Sequence, residues 1–388
     1  MKQRIYLDYN ATTPCREEVL RVMERVGRDV FGNPSSAHEE GRKARAVIED
    51  ARDSIAAALG ANPLEIVFTG GGTESNNMAL LGFMAGIGRR QPHIVTSAIE
   101  HPAVLNACRF LQSQGVHVTF VQCDQTGRID PERVIRSANS STVLISIMHA
   151  NNEVGTVQPI EEIAEFTREK GIFLHCDAVQ SLGKIPVNVR KLKVDMLAIS
   201  GHKIGGPKGV GVLYVRKGTP FTSISYGGSQ ERERRAGTEN VIAIAGFGAA
   251  VTAAVKQQGA GAKRLLRLKT IMAEYLRKEL PDSVANGHQT LCLPNTLNVS
   301  FKGLSGGDVM MALDLEGIAV STGSACAVGA RKPSHVLEAM RLDKSRCCGS
   351  MRISLGYRTT ESEVRTAARV ITATVKRMLK SGQTCCQS

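Results

Sequence analysis

Between about residues 60 and 215 the chain alternates short apolar runs with amphipathic stretches of helical period. "EIVFTGGG" gives way to "TESNNMALLGFMAG", and "HIVTSAIE" to "HPAVLNACRFLQSQG" and then "VHVTFVQCD". "TVLISIMHA" leads to "PIEEIAEFTREKG", followed by "IFLHCDAVQS", "VDMLAIS" and "VGVLYVR". Continuous apolar runs of strand length, separated by helices, predict a largely parallel sheet covered on both faces. In such sheets ligands gather beyond the carboxyl ends of the strands. A long helical stretch from "AIAGFGAAVTAAVKQQ" into "AKRLLRLKTIMAEYLRKEL" then carries the chain into a smaller α+β region from about residue 256. Its last helix opens at Thr360 with Glu363 three residues on, the spacing of a capping box. The polar tail "SGQTCCQS" is predicted to fray.

A length of 388 residues suits two domains with ample core. At 42% apolar and 22% charged, the composition is that of a globular protein. No apolar stretch is expected to approach the roughly 18 residues that cross a bilayer, and "MKQRIYLDYN" lacks an export core. The net charge of +13 raises the question of nucleic acid. Aromatics at 4%, no Trp, and basic residues dispersed over "GRKAR", "VNVRKLK", "RERR" and "AKRLLRLK" argue instead for a solvated basic surface. Ten cysteines without a C-x-x-C spacing, among them the adjacent pairs Cys347-Cys348 and Cys385-Cys386, argue against a disulfide framework or a zinc ribbon. They fit a reducing cytoplasm.

The chemically loaded residues fall just after the apolar runs. "FTGGGTES" places three glycines and a threonine between a strand and a helix, a phosphate cradle without the G-K-[ST] of a nucleotide loop. Asp177 ends "IFLHCD", with Gln180 three residues on. His101 opens a helix, and "HANNEVGT" supplies amide donors. In "AISGHKIGGPKGVG" Lys203 sits where a buried strand ends. Each has a plainer alternative: a turn, a cap, a surface lysine. Cradle, buried carboxylate, imidazole, amides and strand-end amine together are the set that pyridoxal 5'-phosphate needs, with the lysine forming a Schiff base and the carboxylate keeping the ring nitrogen protonated.

These residues also carry a resemblance. "YLDYNATTP", "GNPSSAH", "NNEVGT", "DAVQS", "SGHKIGGPKGVG", "RRAGTEN" and "MRISLGYRTTESE" resemble the NifS/IscS-type cysteine desulfurases of the class V aminotransferase family, over essentially the whole chain and closer to the NifS branch. The resemblance implies the α/β fold of type I pyridoxal-phosphate enzymes. A large domain would span 14–255, and a small one 1–13 and 256–388 would carry a catalytic loop at about 321–334. It implies that Lys203 anchors the cofactor, with the glycines after it leaving room for a ligand. Asp177 would face the ring nitrogen, Gln180 and Asn152 the ring hydroxyl, and His101 the ring face and the proton traffic. Gly72, Thr73, Ser200 and His202 would meet the phosphate, and Thr238 the phosphate of a neighbouring subunit, hence a homodimer. Arg352 would grip the carboxylate of L-cysteine, with Asn33 and Asn152 assisting.

"VSTGSACAVGARKPSHVL" places Cys326 among small residues, which composition alone reads as a turn. In the family this loop carries the nucleophile within "SGSAC"; here Thr322 replaces a serine, a mild change. The implied reaction yields L-alanine and a Cys326 persulfide, destined for a sulfur acceptor such as an iron–sulfur scaffold. A selenocysteine lyase or another class V enzyme is the nearest rival. A nucleic-acid-binding protein and an inactive scaffold stand further off.

Overall fold

A computed structural model describes residues 4–322 and 334–381. The alternation resolves into seven strands of one sheet: β2 (Ile66–Thr69), β3 (His93–Ser97), β4 (His117–Val121), β5 (Thr142–Ser146), β6 (Phe173–Asp177), β7 (Met196–Ser200) and β8 (Gly211–Val215). Their spatial order is β2-β8-β7-β6-β5-β3-β4. β7, β6, β5, β3 and β4 are mutually parallel, while β8 is antiparallel to both its neighbours. Two reversals bring β2 back to the direction of β7. The carboxyl ends of β2, β3, β5, β6 and β7 therefore share one edge, and every candidate in the large-domain strand turns hangs from it. β3, β5, β7 and β8 are buried along their whole length, as strands covered on both faces must be.

A second core lies under two small sheets. β1 (Ile5–Tyr6) pairs in parallel with β11 (Ile318–Ala319); β9 (Ser283–Asn286), β10 (Thr296–Phe301) and β12 (Ser350–Ser354) form an antiparallel sheet in the order β12-β10-β9. Its apolar cluster runs from Ile5 and Leu7 through Leu265–Leu280 to Met378. The capping box forms as expected, Thr360 Oγ1 accepting from the Glu363 backbone while the Glu363 carboxylate accepts from Thr360.

The helix Val241–Glu279 joins the two cores as one rod of 39 residues. Ala243 to Ala254 pack in the large core against the helices Glu17–Asp29 and Glu39–Leu59, and Leu265 to Leu276 pack in the small one. This helix corrects one expectation. By length and composition it holds a window apolar enough to cross a bilayer, because its Ala- and Gly-rich first half has few charges. That window is 56% buried within the protein, as in a core helix. The tail 382–388 and the segment 323–333, which includes Cys326, lie outside the described residues.

Candidate active site

β2 delivers the chain to Thr69 and then to Gly70, Gly71 and Gly72, where the helix Gly72–Asn77 begins. Gly71 has φ +147°, a conformation glycine tolerates, and it offers no capping side chain. The first N–H groups of the helix are thus left to an external acceptor. A Cβ on Gly72 would stand 2.8 Å from Val179 Cγ2, and one on Gly211 would stand 2.7 Å from the Gly71 backbone. Bare backbone is needed on both sides for the cradle to close. A cavity of about 670 Å³ opens here, lined by Gly70–Thr73, Asn77, Ser200, His202 and Lys208, with Ala11 and Thr12 from the amino-terminal segment. Ser200 is buried, and among the described residues its Oγ has no hydrogen-bond partner. A buried hydroxyl on the wall of a glycine cradle, beside Lys208 and the helix N-terminus, suits a phosphate.

Of the glycines after Lys203, Gly209 lines the cavity, while Gly205 and Gly206 serve the chain itself. A Cβ on Gly205 (φ +86°) would meet the Arg16 side chain at 2.6 Å, and one on Gly206 would meet the Gly201 carbonyl at 2.8 Å. Lys203 lies in the 3-10 turn Gly201–Lys203 that follows β7, and its Nζ donates to the carbonyls of Asn10 (2.6 Å) and Ala11 (2.8 Å).

Asp177, at the end of β6, is buried, with its carboxylate fixed by Asn76 Nδ2 at 2.7 Å and the Val179 N–H at 2.9 Å. Gln180 Nε2 donates to the Asn10 carbonyl at 3.0 Å. His101 is both cap and site residue. Its Nδ1 accepts from the Ala103 N–H at 3.1 Å, which leaves Nε2 for the site. Burial lowers its proton affinity; Asp177 opposes that, while Lys203 and His335 add to it. His202 is pushed down to about 4 by burial and then by Lys203, Lys208 and Lys184, so it meets the cavity as a neutral ring. These residues fit pyridoxal phosphate: an amine, a buried carboxylate, amide and imidazole groups, and an anion cradle with an orphaned hydroxyl.

Arg352 is buried in β12, where Nη2 meets Asp8 Oδ1 at 2.7 Å and Nη1 the Asn152 carbonyl at 3.2 Å. Asn152 acts here through its backbone. Cys326 itself lies outside the described residues, but the chain on either side of it is tied to this spot. The Arg352 N–H donates to the Ser321 carbonyl, and Ser334 Oγ donates to the buried Glu153 carboxylate at 2.5 Å, one residue from Asn152. Burial raises the Glu153 carboxyl, against the pull of Ser334, His335 and Arg352.

Two candidates are not brought in. Asn33 is exposed, its Oδ1 turned to the Ser35 N–H at 2.9 Å. Thr238 is exposed on the loop after β8 and does not line the cavity. Neighbouring Arg235 does reach the cradle helix, its Nε donating to Glu74 Oε1 at 2.9 Å. The residue-by-residue reading missed Asn10, Asn76, Asp8 and Glu153. Asn10, Asp8 and Glu153 lie inside "YLDYNATTP" and "NNEVGT", stretches that alone read as turns. Asn76 had its own signal, one helical turn beyond Thr73 on the cradle helix.

Comparison with known proteins identifies the family. The profile of the family described as aminotransferase class-V matches residues 5–366. A cysteine desulfurase IscS of Dictyoglomus turgidum is 45% identical over 378 residues, covering 97% of this chain and 96% of its own. A putative cysteine desulfurase, IscS 1 of Bacillus subtilis, is 43% identical over 377 residues, covering 97% of this chain and 100% of its own. Among solved structures, a NifS-like protein superposes with a TM-score of 0.92 at 38% identity, covering 97% of this chain and 100% of its own. A structure of SspA in complex with cysteine gives 0.81 at 39% identity, covering 90% and 98%.

Proposed function

The chain belongs to the class-V aminotransferase family, and from that premise we propose that it is a pyridoxal-phosphate-dependent cysteine desulfurase. It would convert L-cysteine to L-alanine and load the sulfur onto Cys326 as a persulfide for iron–sulfur cluster assembly. One observation carries the reading. Lys203, Asp177 and the glycine cradle meet at one sheet edge, and the chain on both sides of Cys326 is tied beside Arg352. The names of the relatives favour cysteine over selenocysteine.

When bound, the cofactor draws electrons from the substrate's α-carbon and so weakens the carbon–sulfur bond. The protein's residues do the rest. Gly72 and Thr73 N–H groups, Ser200, His202 and Lys208 would hold the phosphate end. Asp177, kept in place by Asn76, would face the ring nitrogen. Arg352 offers two donors to the substrate carboxylate, and Asp8 aligns its guanidinium meanwhile. Lys203 Nζ would anchor the cofactor and, once freed, would take a proton at the α-carbon. His101 Nε2, neutral at working pH because of burial, is placed to receive the thiol proton. The Cys326 thiolate attacks the substrate sulfur, the carbon–sulfur bond breaks with its electron pair going to the β-carbon, which takes up a proton to become the methyl group of alanine, and the sulfur stays on Cys326 as the persulfide.

A homodimer is part of the proposal. Asn33 and Thr238 lie idle in one chain, on segments that also expose Phe31 (83%) and Tyr226 (91%). A second copy that covered these aromatics would bring both idle residues into use. Cys15, Cys108, Cys123, Cys176, Cys292 and Cys347 stand as free thiols, which supports a cytoplasmic setting. The partner would be a sulfur-acceptor protein, with neither nucleic acid nor membrane involved. The test is direct: cofactor-loaded protein with L-cysteine and a thiol reductant should release alanine and sulfide in equal amounts. Pyruvate and ammonia as the carbon and nitrogen products would overturn the reading.

A further inference from the structure

Lys184 takes no part in the site as built so far, yet it stands directly behind it. Its side chain is buried, and Nζ donates to Gln180 Oε1 at 2.8 Å. Gln180 Nε2 then donates to the Asn10 carbonyl, which also accepts from Lys203 Nζ. Two lysine amines are thus joined through a single amide and a single carbonyl oxygen.

The surroundings of Lys184 are wrong for a structural cation. Among the described residues Gln180 is the one side-chain partner of its amine. The charged groups that bear on it are Lys203 and Arg352, both positive, with His202 on the cavity side. Burial, then Lys203, then Arg352 bring its proton affinity down to about 7. A buried amine among cations costs stability, and an apolar side chain of similar size would pack there at less cost. What such a lysine can do is serve an anion held in the site. It also removes an ambiguity. With Oε1 held by Nζ, the Gln180 amide cannot turn over, because that would set donor against donor at Lys184 and acceptor against acceptor at Asn10. One Nε2 hydrogen goes to Asn10, and the second remains for the site.

We propose that Lys184 is a positioning residue for the cofactor's ring oxygen: it locks Gln180 with its N–H toward that oxygen and, as a cation, polarises the N–H. This rests on the reading of Gln180 as the ring-hydroxyl donor. A polarised donor draws negative charge off the ring oxygen and so weakens its hold on the proton shared with the Lys203 nitrogen.

The experiment is a pH titration of the visible absorbance of the pyridoxal-phosphate-loaded enzyme, with the thermal midpoint of the cofactor-free protein measured alongside. Lys184→Met should raise the absorbance midpoint by about one pH unit, tenfold in proton affinity, as expected for a charge removed a few ångströms away. The cofactor-free thermal midpoint should hold or rise, because a buried charge has gone. In a Gln180→Leu background the same substitution should shift the midpoint clearly less, because only the through-space part of the charge is then left. If Lys184→Met does not fold, Lys184→Gln, a donor without charge, should shift the midpoint in the same direction. An unmoved midpoint in a yellow, folded variant would overturn the assignment, as would an equal shift with Gln180 already removed. Wild-type protein that takes up no pyridoxal phosphate would refute the functional reading itself, and this inference with it.

Discussion

Glu231→Gln should destabilise the protein far more than a substitution inside "QERERR", a charged run of surface appearance, would suggest. Arg52 and Glu231 are each 1% exposed, and the carboxylate receives Arg52 Nη2 at 2.8 Å and Nη1 at 2.9 Å. The pair also finishes the outer edge of the sheet. Arg52 Nη1 donates to the Ile66 carbonyl at 2.8 Å, and Glu231 Oε2 accepts from the Phe68 N–H at 2.8 Å. Ile66 and Phe68 belong to β2, an edge strand, so two side chains stand where another strand's backbone would. Reaching that position holds Glu231, Arg232 and Glu233 at φ between 48° and 64°. Breaking a buried pair by removing one charge costs about 3–5 kcal/mol. Glu49, half-exposed and 2.9 Å from Arg52 Nε, covers part of the stranded charge, which puts the loss near the lower figure. At about 2 °C per kcal/mol for a large chain, the unfolding midpoint should fall by roughly 6 °C. Calorimetry is the assay, since the chain has no Trp to report by fluorescence. Because β2 runs straight into the cradle, pyridoxal phosphate should also dissociate faster. The double variant Arg52→Met/Glu231→Leu should recover little, as it strands the Ile66 carbonyl and the Phe68 N–H at about 1–3 kcal/mol each. A midpoint within about 1 °C of wild type for the single variant, or full recovery in the double, would refute the reasoning.

Two further outcomes follow from the site. Glu100 is wholly buried, accepts from Ser97 Oγ at 2.6 Å and the Met148 N–H at 2.9 Å, and is pushed up to about 8, chiefly by burial. The folded state therefore holds this proton more tightly than the unfolded chain, so stability should fall as pH rises from about 4.5 to about 8; Glu100→Gln, which cannot ionise, should flatten the unfolding midpoint across that window. Arg352→Lys, which loses the two-donor fork, should raise the KM for L-cysteine about ten- to a hundredfold with a smaller change in kcat, read by alanine production; an unchanged KM would free Arg352 of the carboxylate.

The sheet was legible because its strands are unbroken apolar runs with helices between them, a pattern local to each segment. The anchors at their ends were legible for the same reason, since Asp177 and Lys203 each break an apolar run at its carboxyl end. What the sequence hid are contacts that only folding brings together. Asn10 meets Gln180 and Lys203 across 170 and 193 positions, and through a backbone carbonyl, which carries no residue signature. Arg52 and Glu231 read as surface charge in their own segments, yet close a sheet edge 179 positions apart. Lys184 follows an apparent turn and looks like a solvated lysine. Asn33 and Thr238 remain outside the site of one chain, where no reading of a single fold would place them.

The central claim is tested most directly by a single turnover of L-cysteine on pyridoxal-phosphate-loaded wild type, Cys326→Ala and Lys203→Ala, with alanine and protein-bound persulfide both measured. Wild type should yield one alanine and one persulfide per site, Cys326→Ala should stay yellow without a persulfide, and Lys203→Ala should lose both the Schiff-base colour and turnover. Sulfur released from Cys326→Ala at the wild-type rate would contradict the account and remove Cys326 from the chemistry.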